Sequence, residues 1–161
     1  MTEVKALEVL GSDYGTFTET TIDRRDLRKD DVLIDIKYCG ICHSDISMVD
    51  DPFGNNIFPM VPGHEITGVV AKIGSEVTKY KVGDRVGVGC FVDSCGKCEY
   101  CLSGREQFCK QGVVSVFTGR DYQGNINYGG YSQQIVVKEH FVLRFLTSSD
   151  WQKRVHCFVP A

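Results

Sequence analysis

The chain has 161 residues, of which 42% are hydrophobic and 24% are charged, and its formal net charge is −3. A chain of this length can bury one core, and its slightly acidic balance lacks the basic patch that nucleic-acid binding requires, so we expect no nucleic-acid partner. No apolar run approaches the roughly 18 residues of a membrane span, and we identify no secretory signal peptide, so we expect a cytoplasmic protein without a membrane partner.

Short runs rich in Val, Ile, Thr and aromatic residues predict a mainly β fold, either a barrel or a sandwich, with few short helices. The alternation of apolar residues in the run 31–38 predicts a strand with one buried face. That face carries Val32, Ile34, Ile36 and Tyr38. Residues 43–48 are the best candidate for a short helix, which ends before the turn signal at 52–54. The predicted strands are 5–10, 16–22, 31–38, 65–74, 84–92 and 131–145.

Four closely spaced cysteines predict a structural metal site. The spacing C-x2-C-x2-C-x7-C lets one loop surround a tetrahedral ion, and four thiolates leave no position for water or substrate. Two disulfides are the alternative, but three of these cysteines are too close in sequence to pair without strain, and cytosolic thiols are normally reduced. We therefore predict one structural zinc ion bound by Cys95, Cys98, Cys101 and Cys109.

A second candidate site combines the segment 37–45 with the segment 61–68. Cys42 and His64 are suitable ligands for an open zinc site, in which one position remains for water or an alcohol oxygen. The residues alone leave two alternatives open. The sequence Gly-His-Glu can form a turn with a hydrogen-bonded histidine, and Cys39 and Cys42 can form a redox Cys-x-x-Cys motif, although no thioredoxin-like pattern surrounds them.

Four segments follow one another along the chain: YCGICHSD at 38–45, VPGHEITGVVAKIGSEVTKYKVGDRVGVG at 61–89, the four-cysteine segment at 95–109, and NYGGYSQQIVVKEHFVLR at 127–144. In this order and spacing they resemble the zinc-dependent medium-chain alcohol dehydrogenases, in particular the NADP-preferring group that includes cinnamyl alcohol dehydrogenase. The resemblance covers about residues 5 to 144. It implies one GroES-like barrel over 1–150 with a four-cysteine zinc lobe at 90–112, a catalytic zinc bound by Cys42 and His64, and a structural zinc in the lobe.

The resemblance also implies roles for the residues that surround the catalytic zinc. Ser44 would relay the proton of the alcohol, Asp45 would orient His64, and Glu65 would lie beside the ion. His43 corresponds to a residue that lies near the cofactor pyrophosphate in many relatives. The reaction implied is the reversible oxidation of a primary alcohol to an aldehyde, with NADP as hydride acceptor.

Two parts of the family pattern do not continue in this sequence. The glycines Gly87 and Gly89 are not followed by a third glycine that opens a helix, so we predict no Rossmann domain and do not expect NADP to bind this chain. Near the end, where the family has a third zinc ligand in a stretch like LAKAAPLLCAGIT, the sequence is WQKRVHCFVPA. We interpret 151–161 as the product of a one-nucleotide deletion, and we expect Glu65 or water, rather than Cys157, to complete the catalytic zinc site.

Two hypotheses about function follow. The chain is the catalytic domain of an alcohol dehydrogenase that is inactive by itself, or it is a non-catalytic zinc-binding remnant that self-associates to cover its exposed interdomain surface. A zinc-ribbon interaction module would explain the four cysteines but would leave Cys42, His64 and the predicted strands without a role.

Overall fold

The computed structural model describes residues 2–12, 16–52, 54 and 56–145. Within these residues the chain forms nine β-strands, two short α-helices and two 3-10 turns. The strands are β1 (Thr2–Glu8), β2 (Thr18–Arg24), β3 (Asp31–Gly40), β4 (Glu65–Ile73), β5 (Arg85–Val88), β6 (Phe91–Asp93), β7 (Val114–Ser115), β8 (Gln134–Lys138) and β9 (Val142–Arg144). The helices are α1 (His43–Val49) and α2 (Glu99–Leu102), and the 3-10 turns are Glu106–Phe108 and Glu139–Phe141.

The strands are arranged in one main sheet and two smaller ladders. The main sheet has five strands in the order β8-β3-β4-β5-β9, β1 pairs with β2 in an N-terminal hairpin, and β6 pairs with β7. Every pair is antiparallel. The mainly β prediction is confirmed, and so is the short helix, which begins at His43. None of the described helices is long and apolar enough to cross a membrane.

Two of the predicted strand runs are divided in the structure. The run 84–92 becomes β5 and β6, because the chain leaves the main sheet after Val88 and continues in the ladder with β7. The run 131–145 becomes β8 and β9, which are separated by the 3-10 turn Glu139–Phe141. The sequence did not predict β7, since a strand of two residues has no periodicity to detect.

The prediction of one buried face on β3 was wrong. Val32 and Ile34 are fully buried, but Leu33 on the opposite side of the strand is also only 3% exposed, whereas Tyr38 is 42% exposed. The pairing of β3 with β4 shifts in register after Leu33 and again after Ile36. These irregularities change the direction of the following side chains, so simple alternation does not extend along the strand.

Ion pairs fasten the segment that leads into the four-cysteine lobe. Asp93, the last residue of β6, is 3% exposed and lies two positions before Cys95. Its carboxylate accepts a hydrogen bond from Arg28 Nη1 at 2.8 Å and forms an ion pair with Lys138 Nζ at 3.3 Å. The other guanidinium nitrogen of Arg28 contacts Asp121 Oδ2 at 2.6 Å. Arg28 therefore joins two buried carboxylates from different parts of the chain.

We predict that Arg28→Met lowers the free energy of unfolding by about 2 kcal/mol, because two buried carboxylates lose their nearest cation. The loss stays below that of a fully broken buried pair, since Asp93 keeps Lys138 and Asp121 keeps Arg25. The matched control is Lys29→Met. Lys29 pairs with Glu76 at 3.2 Å, but the two side chains are 75% and 62% exposed, so we expect a loss below about 1 kcal/mol. Urea denaturation of the zinc-loaded protein measures both values, and equal losses in the two variants would contradict the role of Arg28.

Candidate metal centres

The four cysteines of the lobe converge in the structure. The sulfur atoms of Cys95, Cys98, Cys101 and Cys109 all lie within 4.8 Å of one another. Cys101 Sγ is 3.5 Å from Cys98 Sγ and 3.8 Å from Cys95 Sγ. Tetrahedral zinc with bonds of about 2.3 Å separates its sulfur ligands by about 3.8 Å, so the donor set and its spacing fit zinc. All four cysteines are free thiols, which agrees with the metal site rather than with disulfides.

A second cluster brings together Cys42, His64 and Glu65. Their candidate ligand atoms lie within 4.8 Å of one another, although 22 residues separate Cys42 from His64. Cys42 directly precedes α1, whereas His64 and Glu65 stand at the start of β4. His64 is 1% exposed and Glu65 is 3% exposed, while Cys42 is only half-buried. The imidazole and the carboxylate of the cluster are therefore shielded from solvent, whereas the thiol of Cys42 is accessible.

Asp45 is the residue that connects the two segments of this cluster. Its carboxylate is 4% exposed and accepts the backbone N–H of Cys42 at 2.9 Å and that of Gly63 at 2.9 Å. His64 Nδ1 lies 3.0 Å from Asp45 Oδ1. One side chain therefore fixes the helix that follows the cysteine, the turn that precedes the histidine, and the imidazole itself.

Electrostatics decide which ring nitrogen of His64 is available to a ligand. Burial would raise the pKa of Asp45, but the hydrogen bonds from His64, Cys42 and Gly63 outweigh burial and lower the pKa. Burial likewise would lower the pKa of His64, and the bond to Asp45 raises it. Because an ionised carboxylate can only accept hydrogen bonds, Nδ1 of His64 donates and Nε2 remains for a ligand.

The thiol of Cys42 is also prepared to lose its proton. The backbone and the hydroxyl of Ser44 form hydrogen bonds to its sulfur, and these lower the pKa of the thiol. The Ser44 hydroxyl oxygen is exposed and lies 3.7 Å from Cys42 Sγ. Zinc binds thiolate, imidazole and carboxylate ligands, and open sites keep three protein ligands, so the residues present fit a zinc ion with one free position.

The remaining residues singled out from the sequence lie as follows. His43 is exposed at the first position of α1. Cys39 packs beside the main core, where burial raises the pKa of its thiol to about 12, so Cys39 is not prepared for the redox chemistry of a Cys-x-x-Cys pair. Cys90 is half-buried, and burial raises the pKa of its thiol as well. The predictions for Cys157 and for the tail 151–161 lie outside the described residues.

Two aromatic residues near the cluster were missed by the sequence analysis. Tyr131 directs its hydroxyl to Asp45 Oδ2 at 3.3 Å, and Phe117 stacks near His64 with ring centroids 5.1 Å apart. Tyr131 belongs to the segment NYGGYSQQ, in which two glycines before an aromatic residue were the available signal. Phe117 lies between β7 and β8 with no local pattern that marks it.

A sequence model described as the alcohol dehydrogenase GroES-like domain matches residues 28–147. The chain belongs to this family. GroES-like neighbours among solved structures include a cinnamyl alcohol dehydrogenase from Sorghum bicolor, with a TM-score of 0.91, 36% identity and 98% of this chain covered. Another is a structure of CAD from Helicobacter pylori complexed with NADP(H), with a TM-score of 0.91, 39% identity and 97% of this chain covered. This chain corresponds to 44% and 45% of those two chains.

Curated relatives of this GroES-like domain are also longer than the chain. A protein named "Probable formaldehyde dehydrogenase AdhA" from Bacillus subtilis is 66% identical over 128 residues, which cover 80% of this chain and 37% of the relative. The "NADP-dependent alcohol dehydrogenase C" of Mycobacterium bovis is 57% identical over 127 residues, which are 79% of this chain and 37% of that protein. The match therefore includes a little over a third of each relative.

We predict that Gly63→Ala disturbs the cluster around His64. Gly63 has φ +104, and an added Cβ would lie 2.8 Å from Tyr131 N and 2.9 Å from Cys39 Sγ. The matched control is Gly83→Ala, where φ is +92 and no atom lies within 4 Å of the added Cβ. Backbone strain costs both variants about 1–2 kcal/mol, and overpacking costs Gly63→Ala about 1–3 kcal/mol more.

Urea unfolding and zinc content together test this prediction. Gly63→Ala should lose the metal of the Cys42 cluster while it retains that of the lobe, whereas Gly83→Ala should retain both. A Gly63→Ala protein with unchanged zinc content and the stability of Gly83→Ala would contradict the geometry described for the turn.

For the lobe, we predict that Cys98→Ser releases the zinc ion and leaves residues 95–109 without their ordered conformation, because a structural zinc site supplies much of the folding free energy of so small a segment. Cys39→Ala is the control, since Cys39 lies outside both clusters. Elemental analysis and NMR of the lobe amides measure the effect. Zinc retained in Cys98→Ser, or disulfides within the native lobe, would refute the assignment.

Proposed function

We propose that this chain provides the zinc-dependent, alcohol-binding site of an NADP-dependent alcohol dehydrogenase. The observation that carries the proposal is the cluster of Cys42, His64 and Glu65, held by Asp45 inside an alcohol dehydrogenase GroES-like domain. Two relatives are named for NADP: the M. bovis enzyme is named as NADP-dependent, and the H. pylori structure contains NADP(H). The names of the B. subtilis and Sorghum bicolor relatives, a formaldehyde dehydrogenase and a cinnamyl alcohol dehydrogenase, support primary alcohols and aldehydes as the substrate class that we propose for this chain.

The proposed reaction converts a primary alcohol to an aldehyde. A zinc ion bound by the cluster would polarise the alcohol oxygen and lower the pKa of its hydroxyl. Ser44, exposed beside Cys42, accepts the hydroxyl proton and passes it to solvent. Oxidised NADP, when bound beside the site, would accept the hydride that leaves the same carbon as the carbon–oxygen double bond forms. Asp45 holds His64 in one orientation throughout, and the buried Glu65 remains beside the ligand position.

We propose that groups outside the described part of the chain hold most of the cofactor. His43 is exposed next to Cys42, so we propose that it contacts a phosphate of NADP that another domain positions. Residues 85–93, which include Gly87 and Gly89, form strands in two antiparallel ladders and not the strand, glycine-rich turn and helix of a dinucleotide site. We therefore propose that the 161-residue chain alone does not turn over alcohols at a rate typical of the relatives.

A chimera tests whether the Cys42 cluster supports alcohol oxidation when the domain of a relative binds the cofactor. The aligned 127-residue segment of this chain would replace its counterpart in the full-length M. bovis relative, which is named as NADP-dependent. We expect the chimera to oxidise primary alcohols with NADP. Cys42→Ser should abolish turnover, and Ser44→Ala should lower kcat about a hundredfold, since a positioned proton-transfer group contributes about 10²–10⁴ in rate. Ser103→Ala in the lobe is the control and should leave kcat unchanged.

The catalytic role of the cluster and the requirement for a separate cofactor domain are each contradicted by a different outcome. A chimera that folds with two zinc ions but has no turnover would exclude a catalytic role for the Cys42 cluster in this sequence. Turnover by the 161-residue chain with NADP alone would support the alcohol dehydrogenase assignment and refute the requirement for a separate cofactor domain.

The second candidate function is a non-catalytic zinc-binding module that self-associates. It is favoured by three large apolar side chains that are mostly exposed, Ile41 at 76%, Leu102 at 75% and Phe108 at 59%. Sedimentation of the purified chain with both metal sites loaded tests it. A stable dimer that Leu102→Asp disrupts, combined with an inactive chimera, would favour this module over the enzyme.

We propose the cytoplasm as the location of either form. The seven cysteines in the described residues are free thiols, and a reducing compartment keeps the candidate zinc ligands in that state.

A further inference from the structure

Residues 128–132, which we call the strap, lie directly against the turn that carries His64. Gly129 donates its N–H to Val61 O at 2.7 Å, Gly130 donates to Gly63 O at 2.8 Å, and Tyr131 donates to Pro62 O at 2.9 Å. The contact is close enough that a Cβ on Gly129 would lie 2.4 Å from Pro62 O. The strap and the turn therefore form one rigid backbone unit.

Arg24 fixes the other side of the strap. Its guanidinium donates to Gly129 O at 2.8 Å and to Ser132 Oγ at 2.6 Å, and it also donates to Tyr128 O. The arginine is only 6% exposed, so these bonds are shielded from water. A strap held on both sides places the side chain of Tyr131 at a fixed point relative to the histidine turn.

The Tyr131 side chain reaches from the strap to the carboxylate that orients His64. Its hydroxyl lies 3.3 Å from Asp45 Oδ2 and 3.5 Å from Gly40 O, so the carboxylate is the nearer acceptor. A phenol that donates to an ionised carboxylate forms a charge-assisted hydrogen bond. The ring also packs edge-to-face on Phe17 with centroids 6.0 Å apart, which keeps the hydroxyl directed at Asp45.

We propose that Tyr131 is a positioning residue that fixes the Asp45 carboxylate, and through it the ligand orientation of His64. Each oxygen of the carboxylate has two donors: Oδ1 accepts from Gly63 N and His64 Nδ1, and Oδ2 accepts from Cys42 N and the Tyr131 hydroxyl. Tyr131 is the only one of the four donors that is separate from the two ligand-bearing segments. Without it, Oδ2 keeps only the amide at the start of α1, and the carboxylate can rotate with the imidazole attached.

This inference rests on the proposed function in one respect, namely that His64 binds a metal ion. Tyr131→Phe is the informative variant, because it removes the hydroxyl and keeps the ring against Phe17 and Gly63. Tyr128→Phe is the matched control, since it removes a phenol hydroxyl from the same strap but does not touch Asp45. Thermal unfolding of both variants should stay close to that of the parent chain.

The first readout is the zinc affinity of the Cys42 cluster, measured by competition with a chelator while the lobe retains its zinc. We expect Tyr131→Phe to weaken this affinity about three- to tenfold, the range for loss of one hydrogen bond, and Tyr128→Phe to leave it unchanged. Equal affinities in the two Phe variants, or tighter binding in Tyr131→Phe, would overturn the proposal.

The second readout needs no metal at the cluster. Imidazole 15N and 1H NMR of His64, in protein with zinc only in the lobe, reports the donated Nδ1–H bond. We expect this signal to shift and broaden in Tyr131→Phe but not in Tyr128→Phe, and an identical signal in both variants would overturn the positioning role. If the parent chain binds no second zinc, the proposed function fails, and the NMR comparison still decides the role of Tyr131.

Discussion

The buried carboxylate of Asp45 is the interaction on which the candidate catalytic site depends. An ionised group with 4% exposure is stable only where several donors replace its water, and Asp45 has four of them. These donors belong to three separate stretches of chain, so the site forms only when the start of α1, the turn at 61–64 and the strap have all packed. The cost of burying the charge is offset by hydrogen bonds that also set the histidine tautomer.

The four-cysteine lobe depends on a different constraint. Its helix α2 has four residues and its sulfur atoms lie close together, so local secondary structure contributes little to its stability. A metal ion bound by the four thiolates would supply the cross-link inside the lobe, and the ion pairs of Asp93 with Arg28 and Lys138 connect the lobe to the rest of the fold. The two candidate metal centres therefore differ in kind: four thiolates would close around an ion in the lobe, whereas the Cys42 cluster is accessible at the thiol.

The sequence was sufficient to predict those features that depend on local spacing. The C-x2-C-x2-C-x7-C segment predicted the lobe cluster, and β-branched runs predicted most of the main sheet, because these signals lie within a few residues. The contact between Asp45 and Tyr131 could not be predicted in this way, since 86 residues separate them. The register shifts in β3 and the departure of β6 from the main sheet likewise depend on neighbouring strands that no single run reveals.

X-ray absorption spectroscopy of the zinc-loaded protein tests most directly whether one chain holds two chemically distinct zinc sites. Four thiolates in the lobe and one at the Cys42 cluster predict two zinc ions per chain with an average of about 2.5 sulfur ligands per ion, the remainder being nitrogen or oxygen. A single zinc ion per chain with about four sulfur ligands would contradict the account, because the cluster of Cys42, His64 and Glu65 would then bind no zinc.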